Sequence, residues 1–142
     1  MDTIRKRWKL FGLPWSVLLW LGCAATSEGP LRYELSGVVT HGGQPVPVGM
    51  IRFTPDTDKG NHGPGTIAMV KQGRYRTRSG KGTVGGAMIV EISGFDGVPT
   101  KVDGETIASG TPLFEPYRTE ADLPREAATL DFDVPLSAGI VK

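Results

Sequence analysis

Short apolar stretches with a period of two, each closed by glycine or proline, set the limits on how this chain can fold. Residues 128–134 are the clearest case, because Leu130, Phe132 and Val134 alternate with Asp131 and Asp133. Successive side chains of a strand point to opposite faces, so this pattern predicts a half-buried strand, whereas a helix would scatter the same residues around its axis. Residues 33–40 repeat it, with Tyr33, Leu35, Gly37 and Val39 on one face. So do 49–54, with Ile51 and Phe53 inward, and 87–95, with Met88, Val90 and Ile92 inward. Residues 65–71 are apolar at nearly every position and predict a central strand covered on both faces. Gln72-Gly73 turns it back into 74–78, where Tyr75 and Thr77 face the core and three arginines face out. A long connection, 96–116, has no helical period, and loops of that length are functional or mobile. Residues 117–123 predict a weak edge strand. Among 142 residues, 20 glycines and 11 prolines supply the turns. The expectation is an all-β fold, an antiparallel seven-stranded sandwich with Greek-key connections.

The first 22 residues stand apart from this pattern. Arg5, Lys6, Arg7 and Lys9 precede the mostly apolar run 10–21. That run is shorter than the roughly 20 residues a membrane-crossing helix needs and has the form of a secretory signal. It ends in Leu19-Trp20-Leu21-Gly22-Cys23, which holds the only cysteine of the chain and resembles the lipobox of bacterial lipoproteins. Trp20 and Leu21 differ from the leucine and the small residue usual there. The resemblance implies cleavage before Cys23 and a diacylglyceryl group on its sulfur. The expected organisation is a signal peptide over 1–22, a lipidated cysteine and tether over 23–31, a β-sandwich over 32–136 and a tail over 137–142. Residues 24–31 would reach at most about 28 Å. The implied location is the cell envelope, on a membrane facing the periplasm or exterior. Ala24, in place of the aspartate linked to inner-membrane retention, favours the outer membrane.

Several motifs occur in a recognisable order: Leu35-Ser36-Gly37-Val38-Val39-Thr40, Gly43-Gln44-Pro45-Val46-Pro47, Met50-Ile51-Arg52-Phe53-Thr54-Pro55, Gln72-Gly73-Arg74-Tyr75, Val90-Glu91-Ile92-Ser93, Pro116-Tyr117-Arg118 and Leu130-Asp131-Phe132-Asp133-Val134. Together they resemble the carboxypeptidase regulatory-like, or transthyretin-like, domain as found in small planctomycete-type bacterial lipoproteins. The resemblance implies a fold and an envelope location and no particular activity. Related sandwich domains act as accessory or binding modules, some of them contacting glycans.

Four of the 16 basic residues and one of the 15 acidic residues precede Gly22. The chain beyond Gly22 is slightly acidic, which gives no bulk electrostatic reason to bind nucleic acid. One cysteine excludes an intrachain disulfide and a cysteine-based zinc site. Gly80-Lys81-Gly82-Thr83-Val84-Gly85 matches G-x-G-x-x-G but runs into a strand, so a hairpin loop is expected instead of a dinucleotide site. Asp56-Thr57-Asp58-Lys59-Gly60-Asn61 begins like a calcium loop, yet its glycine falls one position early and Ile67 stands in place of the closing glutamate. His41 and His62 are expected at the surface, without the third ligand zinc needs or a nucleophile to serve.

Two surfaces remain as candidates. Lys71, Arg74, Arg76, Arg78 and Lys81 cluster on one hairpin, and a period of two puts the three arginines on one sheet face. Cross-strand pairing with acids such as Glu91 or Asp131 is the favoured expectation. Anionic headgroups, a sulfated glycan or a partner protein are the alternatives. Phe95, Phe114 and Tyr117, flanking the long connection, are the aromatic residues expected to be exposed. No catalytic residue, metal ligand or cofactor is expected. The expected role is that of a lipid-anchored, non-catalytic envelope module, structural or protein-binding. The alternative is glycan binding through the 95–117 region.

Overall fold

The computed structural model describes residues 29–139; the expected signal peptide over 1–22, Cys23 and most of the expected tether lie outside the described residues. The domain is all-β, with the strands of a sandwich: β1 (Leu35–His41), β2 (Gln44–Pro45), β3 (Val48–Pro55), β4 (Thr66–Lys71), β5 (Arg74–Arg76), β6 (Gly86–Phe95), β7 (Thr100–Val102), β8 (Glu105–Ile107), β9 (Tyr117–Leu123), β10 (Ala128–Thr129) and β11 (Phe132–Val134). The expected alternation governs the long central strands. In β3, Gly49, Ile51, Phe53 and Pro55 are buried, and in β6, Met88, Val90, Ile92 and Gly94 are buried.

The main sheet runs β10-β1-β5-β4-β3-β6-β9, and β2 and β11 also pair with β1. Its two margins, β9 and β10, are joined only by residues 124–127. A flat sheet of seven strands would separate its margins by about 29 Å. Five peptide steps reach about 18 Å at most, so the sheet must curl over on itself. The curl brings Phe53 of β3, Tyr75 of β5 and Phe132 of β11 into one aromatic cluster, with ring centroids 6.1 to 6.2 Å apart. Around it Leu35, Val39, Ile51, Val70, Met88, Val90, Ile92 and Val134 are buried.

Pairing within the main sheet is antiparallel except where the C-terminal strands meet β1. Leu35 and Ser36 pair in parallel with Ala128 and Thr129, and Val39 to His41 pair in parallel with Phe132 to Val134. Between the two patches residues 130 and 131 leave the ladder and pass close over Gly37. A methyl group on Gly37 would lie 2.0 Å from the Leu130 carbonyl oxygen. Only glycine admits that approach. This stretch is tied down from both sides. The Tyr75 hydroxyl donates to the Leu130 carbonyl at 2.7 Å, and the Val38 N–H donates to Asp131 Oδ1 at 2.8 Å.

The long connection is more ordered than its composition suggests. It contains the β7–β8 hairpin, with Thr100 opposite Ile107. It then returns to the core through Phe114, which is 1% exposed. A methyl on Gly94 would lie 2.7 Å from the Phe114 ring, so the bare backbone of β6 is what makes room for it.

A basic sheet face as candidate functional site

The turn at Gln72-Gly73 fixes the site. Gln72 N–H donates to the Pro47 carbonyl and Gly73 N–H to the Val46 carbonyl, each at 2.7 Å. The resulting register sets Lys71 opposite Arg74 and Val70 opposite Tyr75. On the far side of β5, Arg76 lies opposite Ser36 and Arg74 opposite Val38. Thr66, Ala68 and Val70 of β4 therefore point inward with Tyr75, while Ile67, Met69 and Lys71 share the outer face with Arg74 and Arg76. Arg78 and Lys81 extend that face past the end of β5, and both are exposed.

Two expectations about this hairpin are corrected. The strand over 65–71 is not covered on both faces, since Ile67 is 50% and Met69 is 55% exposed. Nor do the arginines pair with Glu91 or Asp131. Glu91 stands opposite Arg52 on one side and Arg118 on the other, which places it two strands away from β4 and beyond their reach in the register. Asp131 accepts the Val38 N–H through Oδ1 and shares a depression with Lys71, Arg74 and Arg76, but no ion pair within 4 Å joins them. Among the described residues, Lys59 makes the only ion pairs within 4 Å, with Asp56 at 3.7 Å and with Glu120. The cations of the hairpin thus face solvent beside two exposed apolar side chains. Ile67, Met69, Arg76, Arg78 and Lys81 line one depression of this face, and Met69 also lines the next, with Lys71 and Arg74.

The same end of the hairpin receives the chain's N-terminal segment. Arg32 Nε donates to the Gly82 carbonyl at 2.8 Å, and its Nη2 donates to Gly65 O at 3.0 Å and Thr66 Oγ1 at 2.9 Å. Tyr33 and Thr83 exchange backbone hydrogen bonds of 2.7 and 2.9 Å. A methyl on Gly82 would lie 1.9 Å from the Tyr33 carbonyl oxygen. The G-x-G-x-x-G match is therefore where the incoming chain crosses the β5–β6 loop, and its bare backbone serves that crossing.

The remaining candidates fall elsewhere. Asp56 is buried and caps the 3-10 turn Thr57–Lys59 by accepting from the Asp58 N–H at 3.2 Å. Its hydrogen bond and its contact with Lys59 are structural, and no group of three His, Cys, Asp or Glu side chains able to hold a metal occurs among the described residues. The Lys59 ammonium is held above its ordinary pKa, chiefly by its hydrogen bond to Glu120. His62 is exposed as expected. His41 is not simply a surface residue. Its ring packs on Phe114, centroids 4.8 Å apart, and its buried Nε2 has no hydrogen-bond partner. Phe114 is corrected outright, because it fills the space above Gly94 and presents no ring to solvent. Phe95 and Tyr117 are half-buried, Phe95 in a bridge with Pro112 and Tyr117 opposite Ile92 on the sheet. The structure therefore gathers Arg74, Arg76 and Arg78 on one face and leaves no exposed trio of aromatics.

Sequence reasoning missed Ile67 and Met69 as surface residues. Their signal lay in the tight Gln72-Gly73 turn, whose register forces them onto the face that carries the arginines. No family model matches this chain, and neither do the curated proteins or the solved structures.

Proposed function

We propose that this chain is a lipid-anchored, non-catalytic module of the cell envelope that binds an anionic partner through the outer face of β4 and β5. The observation that carries the reading is the row of Lys71, Arg74, Arg76, Arg78 and Lys81. All five are exposed, and none lies within 4 Å of an acid among the described residues. Unpaired cations on a rigid sheet are costly to the isolated domain through mutual repulsion, and they attract and orient an oppositely charged surface. The sandwich is the rigid support, as the resemblance to carboxypeptidase regulatory-like lipoproteins leads one to expect. The lipobox at Cys23 supplies the location.

Two measurements test the two halves. Radiolabelled fatty acid fed to a bacterial host is expected to appear on the full chain and to vanish with Cys23→Ala; label on both forms ends the anchoring half. On an immobilised sulfated polyanion, the full chain is expected to elute at higher salt than its Arg74→Glu/Arg76→Glu/Arg78→Glu variant. Equal elution of two folded proteins ends the binding half.

A further inference from the structure

We infer that the anionic partner of this face is a lipid bilayer, the one that holds the chain's own N-terminus. The inference rests on the proposed anchoring and goes beyond it by naming what the basic face touches. Three observations carry it. The face mixes cations with Ile67 and Met69, which project from β4 beside them, half exposed. A soluble polyanion is satisfied by charge alone, whereas the boundary between headgroups and acyl chains takes up both cationic and apolar side chains. The face is also built on strands, with its side chains set at every second residue of β4 and β5. That geometry presents them together to a plane.

The third observation is the place where the chain enters. Arg32 is pinned to Gly82, Gly65 and the inward-pointing Thr66, at the open end of the hairpin, the end where Arg78 and Lys81 lie. The expected tether over 24–31 would therefore join the domain at the end that carries Arg78 and Lys81, and it reaches at most about 28 Å. Anchoring at Cys23 thus holds the cations and the two apolar side chains within reach of the same leaflet. An effective concentration set by so short a tether turns weak individual contacts into stable apposition.

The test places an environment-sensitive nitrobenzoxadiazole label at Met69→Cys in the full chain, with Cys23→Ser to leave one thiol. The control label is at Asp103→Cys, in the turn between β7 and β8. Vesicles of phosphatidylethanolamine with phosphatidylglycerol are expected to blue-shift the label at 69 and not the one at 103. Vesicles of phosphatidylcholine alone are expected to leave both unchanged. Each Lys or Arg near an anionic surface contributes about a fivefold factor, so Arg74→Glu/Arg76→Glu/Arg78→Glu is expected to weaken the response about a hundredfold or more, and replacement of the three arginines by lysine to preserve it. Acylation of Lys71 and Lys81 in the unsubstituted chain, slowed by the anionic vesicles, gives a readout that needs no substitution. No shift at 69, an equal shift at 103, or a shift produced by poly-glutamate and not by vesicles overturns the inference, the last by making the face a protein-binding surface. Because the fluorescence arms use Cys23→Ser, a failed acylation at Cys23 is told apart from a failed lipid contact.

Discussion

At the scale of single residues, the fold depends on groups whose partners lie far away along the chain. Gly37 is bare because Leu130 passes over it, and Tyr75 reaches from beneath to hold the Leu130 carbonyl. Replacing Tyr75 by Phe leaves that carbonyl unsatisfied and is expected to cost about 1–3 kcal/mol, read as a lower urea midpoint with an unchanged slope. Burial, with a smaller contribution from the Asp131 charge, holds the Tyr75 phenol well above its ordinary pKa. A pKa raised by folding gives stability that is complete below the unfolded value, about 10, and is lost as pH rises toward the folded one. Tyr75→Phe is therefore also expected to flatten the alkaline limb of the stability profile. Asp133 has the opposite sign. Its hydrogen bond from Thr40 Oγ1, then that from the Gly43 N–H, hold its pKa below the usual carboxylate value. Its contribution is present above the unfolded pKa and fades as pH falls through the folded one, so Asp133→Asn is expected to flatten the acid limb in thermal melts. Little of this was legible in the sequence. Nothing near Gly37 or Phe114 announces a partner that arrives from another part of the chain.

At the scale of elements, the period-two pattern located the strands because burial of one face is a local demand, visible in five or six consecutive residues. It supplied the inward Tyr75 and Thr77, the outward arginines and the edge position of β9. It failed in β4, where Ile67 and Met69 look like a second buried face and instead stand in solvent. Hydrophobicity tells which residues tolerate burial and not which ones receive it. The two kinds of apolar residue are expected to separate cleanly in chemical denaturation. Phe114→Ala, in the core, is expected to cost about 3–5 kcal/mol, while Met69→Gln, on the open face, is expected to stay within about 0.5 kcal/mol of the parent. The hairpin β7–β8 escaped notice because its residues are all exposed or half-exposed and leave no alternating trace. The basic cluster was legible as a cluster, but its lack of acid partners depends on register across β3, β6 and β9, which composition does not encode.

At the scale of the whole molecule, the curl of the sheet puts the chain's two ends to different uses. Arg32 docks at the open end of the β4–β5 hairpin, while the C-terminal strands lie in parallel along β1. The first strand has its neighbours on one side from residues 44–45 and 74–76 and on the other only from 128–134. Contacts of such sequence separation form late, after the entropy of a long closed loop has been lost. A polypeptide emerging N-terminus first, from a ribosome or through a narrow pore, accordingly cannot complete this body until residues 128–134 are out. Until then β1 lacks the strands that belong along one of its sides, and the chain stays open enough to be threaded.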